Sequence, residues 1–185
     1  MLRPLLLISV LHISLASAVS GQILNLEITK GTDLNFTFNT IRQYTSGVIL
    51  GNASEFTIES TVDWDLYVGT ETMTAGMWDL IQAYSTAGNS NVPVSILEIR
   101  ADSPGGTSQQ SAFFQLQDNS TPIYLIGSTA NDPAIGTGVG TNDPGNAVTD
   151  PFTHKFRVSY KLTPGMDHTP GLYTLTVVFT VAEDL

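Results

Sequence analysis

The sequence predicts an all-β protein, a two-sheet antiparallel β-sandwich of immunoglobulin-like or jelly-roll-like kind, with either one short helix or a loop packed on the open end of the sandwich near residues 74–84. Three alternations carry the prediction: Phe56, Ile58, Val62, Trp64, Leu66 and Val68; Phe152, Phe156, Val158, Tyr160 and Leu162; and Tyr173, Leu175, Val177, Phe179 and Val181. Side chains of an extended strand point to opposite faces in turn, so such a period marks strands with one face in a core and the other in water. Turn-forming runs punctuate the intervals, among them Lys30-Gly31, Pro104-Gly105-Gly106, Pro164-Gly165 and Pro170-Gly171.

Residues 1–18 read as a secretory signal, with Arg3 followed by an apolar run from Leu5 to Leu15 and the small-residue exit Ala16-Ser17-Ala18. Cleavage is expected after Ala18, with a boundary as late as Gly21 as the alternative. The run is too short for a permanent membrane span, and no second one follows. Residues 19–185, without internal repeat or linker, are expected to form a single domain.

Elements then follow in order. Leu24, Leu26 and Ile28 alternate with polar residues, predicting a first strand that ends at Lys30-Gly31, and Leu34, Phe36 and Phe38 predict a second. A short apolar segment from Gly47 to Asn52 precedes a long strand from Phe56 to Val68. Between Thr70 and Tyr84 the period changes, and Met73, Met77, Leu80, Ile81 and Tyr84 fall at helical spacing, although Gly76 weakens a helix there. The apolar register slips by one residue between Ile96 and Leu97, which predicts a β-bulge. Strands near Ala112–Leu116 and Ile123–Ile126 follow, then a loop from Gly127 to Pro151. The last two alternations are expected to pair as a closing hairpin with a long connection.

Composition narrows the function. Seventeen acidic residues against seven Lys and Arg give a net charge of −10, which disfavours nucleic acid and anionic membranes as partners. The absence of Cys removes thiol nucleophiles, disulfides and the commoner structural zinc sites. An exported destination follows from the signal: secreted, extracellular or at the cell surface, with the periplasm also open to it.

The chemistry-bearing residues are few. His154 lies on the apolar face of its strand, where a hydrogen-bonded core histidine is preferred over a catalyst, and His168 sits in a turn beside Asp167. Asp63 and Asp65 flank Trp64 on one outer face, a spacing expected of a solvated strand surface rather than a glycosidase pair. Asn131-Asp132-Pro133, Asn142-Asp143-Pro144 and Asp150-Pro151 invite a calcium reading of the 127–151 loop, against which Asn and Asp before Pro are also good turn formers. No catalytic residue, metal site or cofactor is expected. Met73, Met77, Trp78 and Tyr84 form a candidate ligand patch that could equally plug one end of the core. Ile23, Leu24, Leu26 and Ile28 form a candidate assembly edge, with Lys30-Gly31 as a hinge, or a strand paired within its own domain.

Ser60-Thr-Val-Asp-Trp-Asp-Leu-Tyr-Val68 resembles the first Trp-x-Leu strand of WxL surface domains, extracellular β-sandwiches associated with bacterial cell walls. Pro170-Gly-Leu-Tyr-Thr-Leu-Thr-Val-Val-Phe-Thr-Val181 resembles the closing strand of those domains and the last strand of fimbrial major subunits. Phe179-Thr-Val181 stands where a second Trp-x-Leu belongs. Phe156-Arg-Val-Ser-Tyr-Lys-Leu-Thr-Pro-Gly165 is similar to secreted sandwich proteins of Gram-negative bacteria of the Bacteroidetes type. The resemblance implies a non-enzymatic surface protein, structural or adhesive, and a fimbria-like filament subunit is one form of it. The alternative is a secreted module that binds a glycan or another small ligand.

Overall fold

A computed structural model describes residues 21–104, 112–126 and 142–184. The signal segment and most of the 127–151 loop lie outside the described residues. In chain order the elements are β1 (Leu24–Lys30), α1 (Ile41–Ser46), β2 (Val48–Ser60), β3 (Trp64–Glu71), β4 (Asp79–Ala83), a 3₁₀ turn (Val94–Ile96) and β5 (Leu97–Asp102). There follow β6 (Phe114–Gln115), β7 (Ile123–Ile126), β8 (Gly145–Asn146), α2 (Pro151–His154), β9 (Lys155–Leu162), β10 (Gly171–Thr174) and β11 (Thr176–Glu183).

The fold is all-β and sandwich-like. One sheet runs β1-β2-β9-β5-β6, with β8 on the end of β2; the other runs β11-β3-β7, and β10 pairs with β4. Every named strand pair is antiparallel. Phe56 and Ile58 of β2, Trp64, Leu66 and Val68 of β3, Leu97 and Ile99 of β5, and Phe156 and Val158 of β9 meet in one buried cluster. Burying each such large side chain contributes about 1.5–3 kcal/mol, which is why both sheets stay face to face.

The alternation from Phe56 to Val68 is not one strand. The chain leaves the first sheet after Ser60 and enters the second at Trp64. Ser60 shapes the corner by accepting from the Val62 amide at 3.1 Å, while the Thr61 amide donates to Ile23 O at 2.9 Å. The period survives the crossing because both sheets direct their inward side chains at the same core.

Several other expectations are corrected. Residues 79–83 of the proposed helix form β4, because Gly76 takes φ +75 and pairing with β10 overrides a short helical spacing. Phe152 and His154 belong to the helical turn α2, whose first residue is Pro151, so β9 begins only at Lys155. β9 and β11 lie in different sheets, so residues 163–170 carry the chain across the sandwich and no closing hairpin exists. The slip at Ile96 is absorbed by the 3₁₀ turn, not by a bulge in a strand. Residues 34–38 form no strand and join no ladder among the described residues. The helix α1 went unpredicted, although Thr40 and Gln43 form a capping box that is readable as Thr-x-x-Gln.

Candidate functional site

The structure opens between the two layers into one apolar groove of about 890 Å³. Phe56, Leu97, Tyr160 and Leu162 of the first sheet form one wall. The opposite wall is Tyr173, Leu175, Val177 and Phe179, with Trp78 and Ile81 beside them. Leu34, Phe36 and Phe38 lie in the groove, half-buried against the core, whereas Asp33, Asn35 and Thr37 between them are exposed.

β10 and β11 form one edge of this groove. On one side they pair first with β4 and then with β3, Thr174 with Asp79 and Thr176 with Glu71. On the other side they have no ladder partner among the described residues. A strand edge without a partner exposes N–H and C=O groups in register for another extended chain. The neighbouring 34–38 segment makes no backbone–backbone hydrogen bond among the described residues either.

Both ends of that segment are tied. Gly31 takes φ +73, and a Cβ there would lie 2.0 Å from Ala53 O, so the turn after β1 has room only for glycine. Ser54 Oγ donates to Gly31 O at 2.8 Å. At the far end Gln43 Oε1 accepts from the Asn39 and Thr40 amides at 2.7 and 3.0 Å, and the Phe38 and Tyr44 rings stand 5.2 Å apart. The Lys30-Gly31 hinge expected behind β1 is therefore an anchored turn.

The predicted assembly residues divide. Leu24 and Leu26 pack on the core, whereas Ile23 and Ile28 are 46% and 43% exposed. β1 pairs with β2 along its length, Leu24 opposite Ser60 through Ile28 opposite Phe56, so it is an edge strand of its own sheet rather than a free arm.

The predicted ligand-patch residues differ in exposure and in their relation to the groove. Met73 is 82% and Tyr84 66% exposed, and neither lines the groove. Met77 is half-buried in a bridge to Pro93. Trp78 alone reaches the groove, where it packs against the core. The helical spacing is not kept, since Met73 lies in a bend, Met77 in a bridge and Tyr84 just beyond β4. Sequence reasoning missed Phe36, Phe38 and Tyr44 as groove residues, although the alternation of 34–38 marked the side they face.

His154 and Asn146 serve the frame, whereas His168 lines the groove. His154 is buried; its Nε2 lies 3.0 Å from Asp143 O and its Nδ1 2.8 Å from Thr153 Oγ1, so both ring nitrogens are engaged. Its ring faces Trp64 at 5.8 Å, and Trp64 Nε1 donates to the same Asp143 carbonyl at 3.2 Å. Asp63 is exposed, but Asp65 is buried rather than solvated. Asn146 Oδ1 accepts from the Val148 and Thr149 amides at 2.9 and 3.1 Å, a turn-forming use of an Asn in that stretch. Among the described residues no group of three or more His, Cys, Asp or Glu side chains could hold a metal ion.

The outer face of the first sheet carries the ion pairs. Glu55 meets Lys155 at 2.8 Å and Arg157 at 3.6 Å, and Glu98 meets Lys161 at 2.6 Å. The Lys155 hydrogen bond, with the positive charges of Lys155 and Arg157, holds the Glu55 carboxyl below its ordinary value against the opposing effect of burial. On the second sheet the Tyr67 and Tyr124 rings stand 4.3 Å apart and share a 3.1 Å hydroxyl contact. No helix among the described residues is long and apolar enough to cross a membrane. No protein-family model matches the chain, and no curated protein matches it.

Proposed function

We propose that this chain is an exported, non-enzymatic structural or adhesive surface protein, assembled as a fimbria-like filament subunit by strand addition between copies. One observation carries the reading: among the described residues one side of β10 and of β11 has no ladder partner, and residues 171–177 and Phe179 line an apolar groove, so an incoming strand gains main-chain bonds and buries alternate side chains in one step. A strand edge beside an open core is a hazard that natural proteins otherwise cover or charge. The groove wall carries Leu175, Val177 and Phe179 instead. Engagement of both His154 ring nitrogens in the frame favours a non-enzymatic role.

The test is sedimentation and negative-stain microscopy of residues 19–185 over rising concentration, with hydrogen exchange read along 171–183. Ordered polymers with new amide protection on those residues are expected. Polymers that protect other segments and leave 171–183 exchanging as in the single chain would overturn the reading.

A second reading draws on the groove's size. A volume of about 890 Å³ falls within the range of about 300–1,000 Å³ of small-ligand sites, and Trp78 supplies a flat wall. A secreted ligand-binding module would show saturable quenching of Trp78 fluorescence by a small ligand, absent in Trp78→Phe, with the chain remaining monomeric.

A further inference from the structure

We infer that the groove between the two layers takes an uncharged, largely apolar molecule that carries a hydroxyl, a lipid-like alcohol; the inference rests on the ligand-binding reading above and names the class of its ligand. Two polar atoms carry it. Trp78 Nε1 and His168 Nδ1 are both buried without a hydrogen-bond partner, and both residues line this groove.

Other polar side chains of the same lining are already engaged. Tyr160 donates to Ser54 Oγ at 3.0 Å, Ser54 donates to Gly31 O at 2.8 Å, and Tyr173 donates to Thr169 O at 2.8 Å. A buried polar group left unpaired is costly, so folded chains keep few of them. Two such groups beside one apolar groove mark where the polar end of a ligand belongs.

One short loop braces both positions. The Trp78 amide donates to Val92 O at 2.8 Å, while the Asn89 amide donates to Asp167 O at 2.9 Å and the Thr169 amide to Asn89 O at 3.0 Å. Residues 89–92 therefore hold the backbone at Trp78 and on either side of His168.

The donor types select the ligand's head. An indole N–H only donates, so the ligand must offer an acceptor, which excludes an ammonium. A histidine ring nitrogen donates in one tautomer and accepts in the other, and a hydroxyl satisfies it in either. Among the described residues that line the groove there is no Lys or Arg, and Asp33 is the single carboxylate. A ligand carboxylate would lose water there without gaining a fixed cation. The rest of the molecule meets Phe56, Leu162, Leu175, Val177 and Phe179 and is apolar accordingly.

Calorimetric titration of residues 19–185 with decanol, decanoate and chlorodecane separates head from tail, since the three share one chain. Saturable binding of decanol is expected, tighter than either comparator by about 2–10-fold, the worth of a hydrogen bond. Trp78→Phe and His168→Leu should each shrink that preference while keeping an apolar wall. Chlorodecane or decanoate bound as tightly as decanol by the native chain, or a preference unchanged in both variants, overturns the hydroxyl assignment and leaves the ligand-binding reading intact. The native series decides this even if a variant does not fold. No saturable binding of any of the three overturns the ligand-binding reading, and the inference falls with it.

Discussion

Tyr160 donates its hydroxyl to Ser54 Oγ at 3.0 Å, and Ser54 passes the contact on to Gly31 O at 2.8 Å. This relay runs from β9 through β2 to the turn behind β1. It fixes the near end of the 34–38 segment, and both Ser54 and Tyr160 are buried.

Ser54→Ala leaves a buried tyrosine hydroxyl and a carbonyl without their partner. A loss of about 1–3 kcal/mol is expected from urea unfolding. Tyr160→Phe keeps the Ser54–Gly31 bond and should cost less than Ser54→Ala. The reverse order would mean that packing of the Tyr160 ring, not the relay, holds this corner.

Burial raises the Tyr160 hydroxyl above the ordinary tyrosine value, with the Ser54 bond acting in the opposite direction. A group whose folded pKa is raised contributes stability that is complete below its unfolded value of about 10 and is lost as pH rises through the folded value. The native chain should therefore lose stability relative to Tyr160→Phe above about pH 10. Parallel thermal midpoints for the two chains across pH 9–12 would contradict it.

Glu55 behaves with the opposite sign. Its lowered carboxyl contributes stability present above its unfolded value and lost as pH falls through the lower folded one. Glu55→Gln should reduce stability at neutral pH by about 0–1 kcal/mol, since both cationic partners are partly exposed. The difference should vanish as pH falls through the lowered folded value and shrink in high salt. Denaturant midpoints in a pH series measure both.

Gly31→Ala meets a positive φ and a carbonyl where its Cβ must go. A loss of more than ~1 kcal/mol is expected, read as a lowered thermal midpoint. Gly165→Ala is the control: it shares a positive φ but has open space around its Cβ, so it should cost less.

Much of the core was legible in the sequence. Phe56, Ile58, Trp64, Leu66, Val68, Phe156 and Val158 all lie inward as their alternation predicts, because a period of two assigns a side of the strand without knowledge of its neighbours. The same rule is silent on partners. It carried Phe56 to Val68 across a sheet crossing, joined β9 to β11 as a hairpin, and placed Asp65 in water where the fold buries it. The helical spacing at 73–84 misled because a short run is compatible with either period until a strand such as β10 pairs with it.

The sequence by itself determined an all-β sandwich-like fold, the inward side of its main strands and the lack of any cysteine cross-link. Only the tertiary structure decided that 34–38 packs its apolar side chains against the core without a ladder among the described residues, that β10 and β11 pair on one side only among those residues, and that these stretches line one groove. Side-chain alternation is a local property of an extended backbone, whereas strand pairing joins residues as far apart as Ser54 and Val158, through contacts that no short window of sequence contains.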